Sequence, residues 1–228
     1  MKIDINTQCA INKVVEVGLK GERNVNELIG MLNNRNWIVR YKTIEVIERI
    51  KTLNAVKPLI ELVKNENNPR VVVQGIYALG KLKDRLAVDK LIRMLKENNE
   101  LYKSSIITAL GRLGARRSLK YILKELKNPD PTFRVCAIEA LDIMFNESNN
   151  SDLDRRTVIR VKNAVIELTN DEDFYVRLFA INFISNIRDE NFSEGVDSVL
   201  FNIWFEGKEP KLSNLAEEKL EHRGYFSG

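Results

Sequence analysis

Histidine is almost missing from this 228-residue chain: there is one, His222, near the C-terminus. That count excludes a histidine-rich metal site and a Ser-His-Asp triad in the body of the chain. Cysteine is nearly as scarce. Cys9 and Cys136 are far apart and form no CxxC pair, which excludes a disulfide framework and a cysteine-based zinc site and points to a reducing compartment. Five prolines and 11 glycines are too few for a turn-rich sandwich or barrel. No apolar run approaches the roughly 18 residues of a membrane span. The opening Met1-Lys2-Ile3-Asp4-Ile5-Asn6 has no apolar core of a secretory signal. The expectation is a cytoplasmic protein without a membrane segment.

What is present is globular: 44% hydrophobic and 30% charged residues. Asparagine is abundant, which reads as compositional bias. The net charge of +4 is unevenly spread. Residues 1–50 carry 8 basic and 6 acidic side chains, residues 51–130 carry 17 and 8, and residues 131–228 carry 11 and 18. A basic middle (+9) beside an acidic C-terminal part (−7) can steer an anionic partner or let the chain associate with itself.

The strongest signal is internal repetition. Ala78-Leu79-Gly80-Lys81-Leu82 recurs 31 residues later as Ala109-Leu110-Gly111-Arg112-Leu113, and Ala140-Leu141 follows another 31 on. A second series, Leu28-Ile29, Leu59-Ile60, Leu91-Ile92 and Ile122-Leu123, interleaves with the first in steps of 31, 32 and 31. Apolar residues in both segments recur at helical spacing, so each repeat is a hairpin of two amphipathic helices. One hairpin cannot bury its apolar faces alone, and stacked neighbours share a core. The expected fold is therefore an all-α solenoid of five to six hairpins. Repeats run over Thr7–Asn34, Asn36–Asn65, Pro69–Asn98 and Glu100–Asn128, then open again at Pro131 and Tyr175. Val165-Ile166 comes 43 residues after Ile122-Leu123, an excess of 12, so a polar loop is inserted near 146–157. Gly207 and Pro210 break the chain after Trp204. The expected division is a solenoid over 1–206 and, over 207–228, a capping helix with a tail. Ser213 and Gly224 are its expected caps.

The phrases Ala78-Leu79-Gly80-Lys81-Leu82-Lys83-Asp84-Arg85 and Ala109-Leu110-Gly111-Arg112-Leu113-Gly114 resemble HEAT-like repeats of the phycobilisome-lyase type, an armadillo-like helical architecture. The resemblance covers nearly the whole chain and is clearest in repeats two and three. It implies that the first helix of each pair lines the convex side and the second the concave side. The usual opening Asp-Pro-x-Val-Arg is partly kept at Asp130-Pro131-Thr132-Phe133-Arg134. Arg40, Lys103, Arg134 and Arg177 fall at one repeat position, where repeat two has Val72, and read as an inter-repeat hydrogen-bonding ladder. The deoxyhypusine hydroxylases of this fold hold iron with His-Glu pairs, which this chain lacks. Nothing marks a bilin site. The alkylpurine DNA glycosylases use an aromatic pocket, but Trp37 and Trp204 lie outside the basic middle and read as packing residues.

Other chemistry is thin. Gly111-Arg112-Leu113-Gly114 lacks the strand and lysine of a phosphate loop. Gly80 and Gly111 read as close helix contacts. Glu147, Asp152 and Asp154 do not fit a calcium loop. Cys9 and Cys136 read as small core residues. No catalytic residue, metal site or cofactor is expected. The second helices carry the candidate surface: Lys64, Lys96 and Lys127 share one register position, Arg93 and Lys124 lie one turn away, and Lys90, Arg116, Arg117 and Lys120 add charge. Stacked repeats would align these as a basic stripe on a concave face. The reading is a non-enzymatic scaffold or adaptor that binds an acidic protein there. Alternatives are a nucleic-acid-binding module and, further off, a subunit of a bilin-lyase-type enzyme. Self-association through the acidic C-terminal part is a further possible partnership.

Overall fold

The computed structural model describes residues 4–97, 99–147, 154–186 and 190–226. Among these residues thirteen α-helices follow one another without a strand. They pair as hairpins: α1 (Ile5–Leu19) with α2 (Val25–Met31), α3 (Trp37–Ile50) with α4 (Val56–Asn65), α5 (Pro69–Leu82) with α6 (Leu86–Lys96). The series continues with α7 (Glu100–Leu113) and α8 (Leu119–Glu125), α9 (Pro131–Glu147) and α10 (Arg155–Glu167), and α11 (Phe174–Ser185) and α12 (Glu190–Glu206). The last helix, α13 (Pro210–His222), packs on α12. The expected α-solenoid is what the chain forms.

The first helices from α3 to α11 start in the same way. Asn36, Asn68, Asn99, Asp130 and Asp173 stand at one repeat position, and each side chain accepts the backbone N–H two residues on, at 2.8–3.1 Å. These are the oxygen caps that a helix start requires. Two residues earlier, Asn34, Glu66, Asn128 and Asp171 accept the backbone N–H of the capping residue itself. The asparagines taken for compositional bias thus hold specific turns.

The core is two apolar ladders. Ile44, Ile76, Ile107, Ile138 and Ile181 on the first helices, and Leu28, Leu59, Leu91, Ile122 and Val165 on the second, are fully buried. They sit at the steps seen in the sequence. Successive first helices lie flush, α5 on α7 and α7 on α9 most closely, whereas successive second helices touch only lightly. Small residues permit this: a Cβ on Gly80 would stand 2.9 Å from the Ala109 Cα, and one on Gly111 2.7 Å from the Ala140 Cα. The first helices therefore form the more closely packed layer, and the second helices the looser one.

A polar ladder ties turn to turn. The Arg40 guanidinium donates to the Asn34 and Arg35 carbonyls of its own turn and, as a fork, to both Glu66 carboxylate oxygens of the next, at 2.6 and 2.7 Å. Arg134 grips the Asn128 and Pro129 carbonyls and reaches Asp171 at 2.7 Å. Arg177 grips the Asp171 and Glu172 carbonyls and pairs with Glu209. Lys103 departs from the pattern. Its ammonium stands 3.9 Å from Glu125 of its own repeat and 4.7 Å from the centre of the Phe133 ring of the next.

Three local expectations need correction. Glu209 precedes α13, Pro210 opens it, and the Ser213 hydroxyl lies inside its first turn, donating to the Trp204 carbonyl at 3.0 Å. Proline's fixed φ and missing N–H suit the first helical position, so the apparent chain break is a helix start. Gly224, by contrast, does sit just past the helix end with φ +92°. The insertion near 146–157 is partly helical, since α9 runs to Glu147 and α10 begins at Arg155; its centre lies outside the described residues. Cys9 is exposed, while Cys136 is half-buried.

Two predictions follow from this packing. Gly111→Ala should lower stability by about 1–3 kcal/mol, since backbone lies where its methyl would go. Gly30→Ala, on the exposed side of α2 with nothing within 4 Å, should instead raise it by up to about 1 kcal/mol. Urea unfolding of both variants checks this, and equal effects of one sign would refute the packing assignment. The second concerns acid. Burial alone would raise the Glu66 carboxyl, but the Arg40 fork and the backbone N–H groups of Asn68 and Asn67 outweigh it and hold it low. Its stabilising charge is thus fully present at neutral pH and is lost as pH falls below the ordinary glutamate value of about 4.3. Glu66→Gln should cost about 1–3 kcal/mol at pH 7, with the deficit shrinking on acidification in pH-dependent melts.

Candidate partner-binding surface

Helix α6 is amphipathic: Val88, Leu91, Ile92 and Leu95 go to the core, which leaves Asp89, Arg93 and Lys96 facing out. The next hairpin turn is a single 3-10 turn, Arg116–Ser118, and Ser118 is locked into it by donating to the Ala115 carbonyl at 2.7 Å. The burial of Ser118 leaves Arg116 and Arg117 exposed at the start of α8, and Lys120 and Tyr121 follow on the first turn of that helix.

These elements enclose a groove of about 490 Å³ between α6 and α8. Arg93 and Lys96 line one side, Arg116, Arg117 and Lys120 the other, with Ile92 and Tyr121 supplying apolar surface. The Lys96 ammonium lies 5.4 Å and the Lys120 ammonium 5.0 Å from the centre of the Tyr121 ring. Hydrogen bonding from Lys96, assisted by Lys120, holds the Tyr121 phenol below its usual range despite some desolvation. Two carboxylates enter. Asp89 pairs with Arg117 at 3.2 Å, and Asp154, the N-cap of α10, pairs with Arg116. Among the described residues Arg93, Lys96 and Lys120 have no carboxylate partner. The groove can therefore take up anionic groups, with guanidinium and ammonium donors at its rim.

The expected stripe is thus redistributed. Five of its nine residues, Arg93, Lys96, Arg116, Arg117 and Lys120, share the groove. Lys64 lies one hairpin away on α4, 3.9 Å from Glu61. Lys90 is half-buried on α6, and Lys124 is exposed near the end of α8. Helix α8 ends at Glu125, so Lys127 lies beyond it and the register position it shares with Lys64 and Lys96 is not helical there. Sequence reasoning missed the pairing of Asp154 with Arg116, 38 residues away, and read Asp154 as a loop acid.

Elsewhere, Trp37 is half-buried at the start of α3, and Trp204 packs on Phe201 and Phe226. His222 is exposed on α13. Among the described residues no three His, Cys, Asp or Glu side chains converge as a metal site, and no helix is long and apolar enough to cross a membrane.

Paired helices stacked in two layers, with capped turns between them, define an α-solenoid. Residues 25–108 match the family model of HEAT repeats. Among solved structures the chain is similar to one in the complex of CpcE and CpcF of phycocyanin lyase from Nostoc sp. PCC7120. That match has 16% identity and TM-score 0.54, and covers 97% of this chain and 91% of that one. It is also similar to a chain from a structure of microtubule plus end tracking by XMAP215, CLIP-170 and EB1, with 16% identity, TM-score 0.52, and coverage of 89% and 92%. No curated protein matches it. Likeness at this identity is likeness of fold.

The thiols provide a check on the burial described. Cys9 is exposed, whereas burial pushes the Cys136 thiol up. A thiol reagent at neutral pH should modify Cys9 quickly and Cys136 slowly, because the thiolate is the reacting form. Cys9→Ser should remove the fast phase alone. Loss of both phases, or of neither, would contradict this placement.

Proposed function

We propose that this chain is a non-enzymatic scaffold that binds an acidic segment of a partner protein across the basic groove of its second-helix layer. The observation that carries the reading is the groove itself: five cations converge, and Arg93, Lys96 and Lys120 have no carboxylate partner among the described residues. Like charges held together are unfavourable in the free protein, and an anionic ligand relieves them. Solenoids offer such extended faces to partners, and one similar structure is that of a two-protein complex. The non-enzymatic part of the reading rests on the sequence, whose lone histidine is exposed on α13. The cytoplasmic placement belongs to the same reading and rests on the sparse, unpaired cysteines.

The test uses the triple variant Arg93→Glu, Lys96→Glu, Lys120→Glu and two labelled probes of matched charge, a poly-glutamate peptide and a single-stranded DNA. The three residues are at the surface, so stability should change by about 0.5 kcal/mol or less per site. The native chain should bind the peptide, and the variant about tenfold or more weakly. Equal binding by native and variant chains would retire the groove. Tighter binding of DNA, falling steeply between about 50 and 200 mM salt, would replace the scaffold reading with nucleic-acid binding. Salt-sensitive dimers without any probe would point instead to the chain's own acidic C-terminal part.

A further inference from the structure

The basic groove is one step of a repeating surface, and the next step is basic as well. Helix α6 faces the groove with Asp89, Ile92, Arg93 and Lys96, and α8 meets it with Arg116, Arg117 and Lys120. The same four α6 positions, 31 residues on, are Lys120, Leu123, Lys124 and Lys127. Burial keeps this register: exposed Asp89, Arg93 and Lys96 map onto exposed Lys120, Lys124 and Lys127, and buried Leu91 onto buried Ile122. Lys127 lies in the turn that closes α8, where its backbone N–H still donates to the Lys124 carbonyl at 3.2 Å. By repeat equivalence, the side of α8 toward α10 carries three lysines.

Helix α10 continues the pattern across the insertion. Buried Ser118, Leu119 and Ile122 map onto buried Val161, Lys162 and Val165, 43 residues on, which sets Arg160 at the position of Arg117. Arg156 precedes Arg160 by one turn on the same face, and both are exposed. Asp154, the N-cap of α10, ties this helix to the groove by pairing with Arg116. Its carboxylate also accepts the Thr157 N–H and hydroxyl, so it is already committed. Lys124, Lys127, Arg156 and Arg160 have no ion pair among the described residues. Arg155 and Arg156 moreover open a helix whose first turn holds no acid, where the helix dipole disfavours cations. Between the cations, Leu123 and Ala164 are half-buried against the core. The run is bounded: the position of Arg93 and Lys124 holds Glu61 on α4 and Glu167 on α10.

We propose that the acidic segment of the partner lies extended across α8, with one group of carboxylates in the α6–α8 groove and a second between α8 and α10, at Lys124, Lys127 and Arg160. This rests on the groove reading and adds the length and spacing of the segment. Neighbouring helix axes lie about 10 Å apart, and an extended chain advances about 3.3 Å per residue. The two acidic groups therefore stand about three residues apart. Each interval sets cations around an apolar floor, Ile92 and Tyr121 in the first, Leu123 and Ala164 in the second. A peptide that intersperses acidic and apolar side chains fits both. A single-stranded nucleic acid would stack its bases on aromatic rings, and the equivalent positions of the second interval supply none.

The experiment measures anisotropy of three labelled probes at about 150 mM salt, where distant charges are screened. The first is a peptide of about three Glu-Glu-Leu units. The second keeps one such unit and continues in Gly-Ser to the same length. The third is a single-stranded DNA matched in charge to the first. The native chain should bind the full acidic peptide about tenfold more tightly than the short-charge peptide. The variant Lys124→Gln, Lys127→Gln, Arg160→Gln should lose that gain and keep its affinity for the short-charge peptide within about twofold. Its melting should be unchanged, since all three residues are exposed. Undiminished binding of the full peptide by this variant would overturn the extension, while binding of the short-charge peptide would still uphold the groove. Failure of the native chain to bind either peptide would overturn the groove reading and the extension with it. Tighter binding of the DNA, weakened by the same three substitutions, would overturn the acidic segment as the occupant.

Discussion

The guanidinium rung between consecutive turns is the interaction on which the regularity of this stack depends. Apolar burial drives the hairpins together, but it is non-directional, and a ladder of isoleucines would tolerate sliding. A forked donor does not. Arg40 fixes the carbonyls of its own turn and the Glu66 carboxylate of the next in one plane. Glu66 in turn accepts the Asn68 N–H, and Asn68 caps α5. One residue therefore couples the exit of one hairpin to the entry of the next. Arg134 with Asp171 and Arg177 with Glu209 repeat that logic further along.

The rung fails where the chain uses another device. Repeat two has buried Val72 in place of the arginine, and repeat three has Lys103, whose nearest carboxylate belongs to its own hairpin. The interfaces that lack a full rung are α5 with α7 and α7 with α9. Those are the interfaces where Gly80 meets Ala109 and Gly111 meets Ala140 at backbone distance. Close steric fit fixes spacing there, as hydrogen-bonded forks do elsewhere. The basic groove lies between the second helices of these same two repeats.

The sequence shows the repeat because every copy carries the same local pattern: an Asx cap, an apolar residue at a fixed offset, and a small residue where helices touch. That made hairpin count and core ladders legible from residues such as Ile76, Ile107 and Ile138. Pairings between repeats were harder. Arg40 with Glu66 and Arg134 with Asp171 follow from a shared position, so a ladder could be expected. Arg116 with Asp154 crosses the insertion and follows no period, so nothing local announces it. Gly80, Ala109, Gly111 and Ala140 on the first helices already imply that these helices approach most closely. Ser213 misled because a serine near a proline resembles a cap, whereas the proline itself opened the helix.

The two layers end up chemically distinct for a physical reason. In the crowded layer, close approach favours small side chains between helices, and cations lie over aromatic rings, as Arg70 does over Trp37 and Arg112 over Tyr77. In the looser layer, long side chains have room to extend, so lysine and arginine accumulate at the outward positions of α6 and α8 without clashing. Extension into solvent screens their repulsion only in part, because neighbours within a groove lie closer than the Debye length of about 8 Å at physiological salt. Asp89 and Asp154 each neutralise a guanidinium at the groove's edge. The charge left over is concentrated around Tyr121, where an anionic ligand gains most and a neutral one gains nothing.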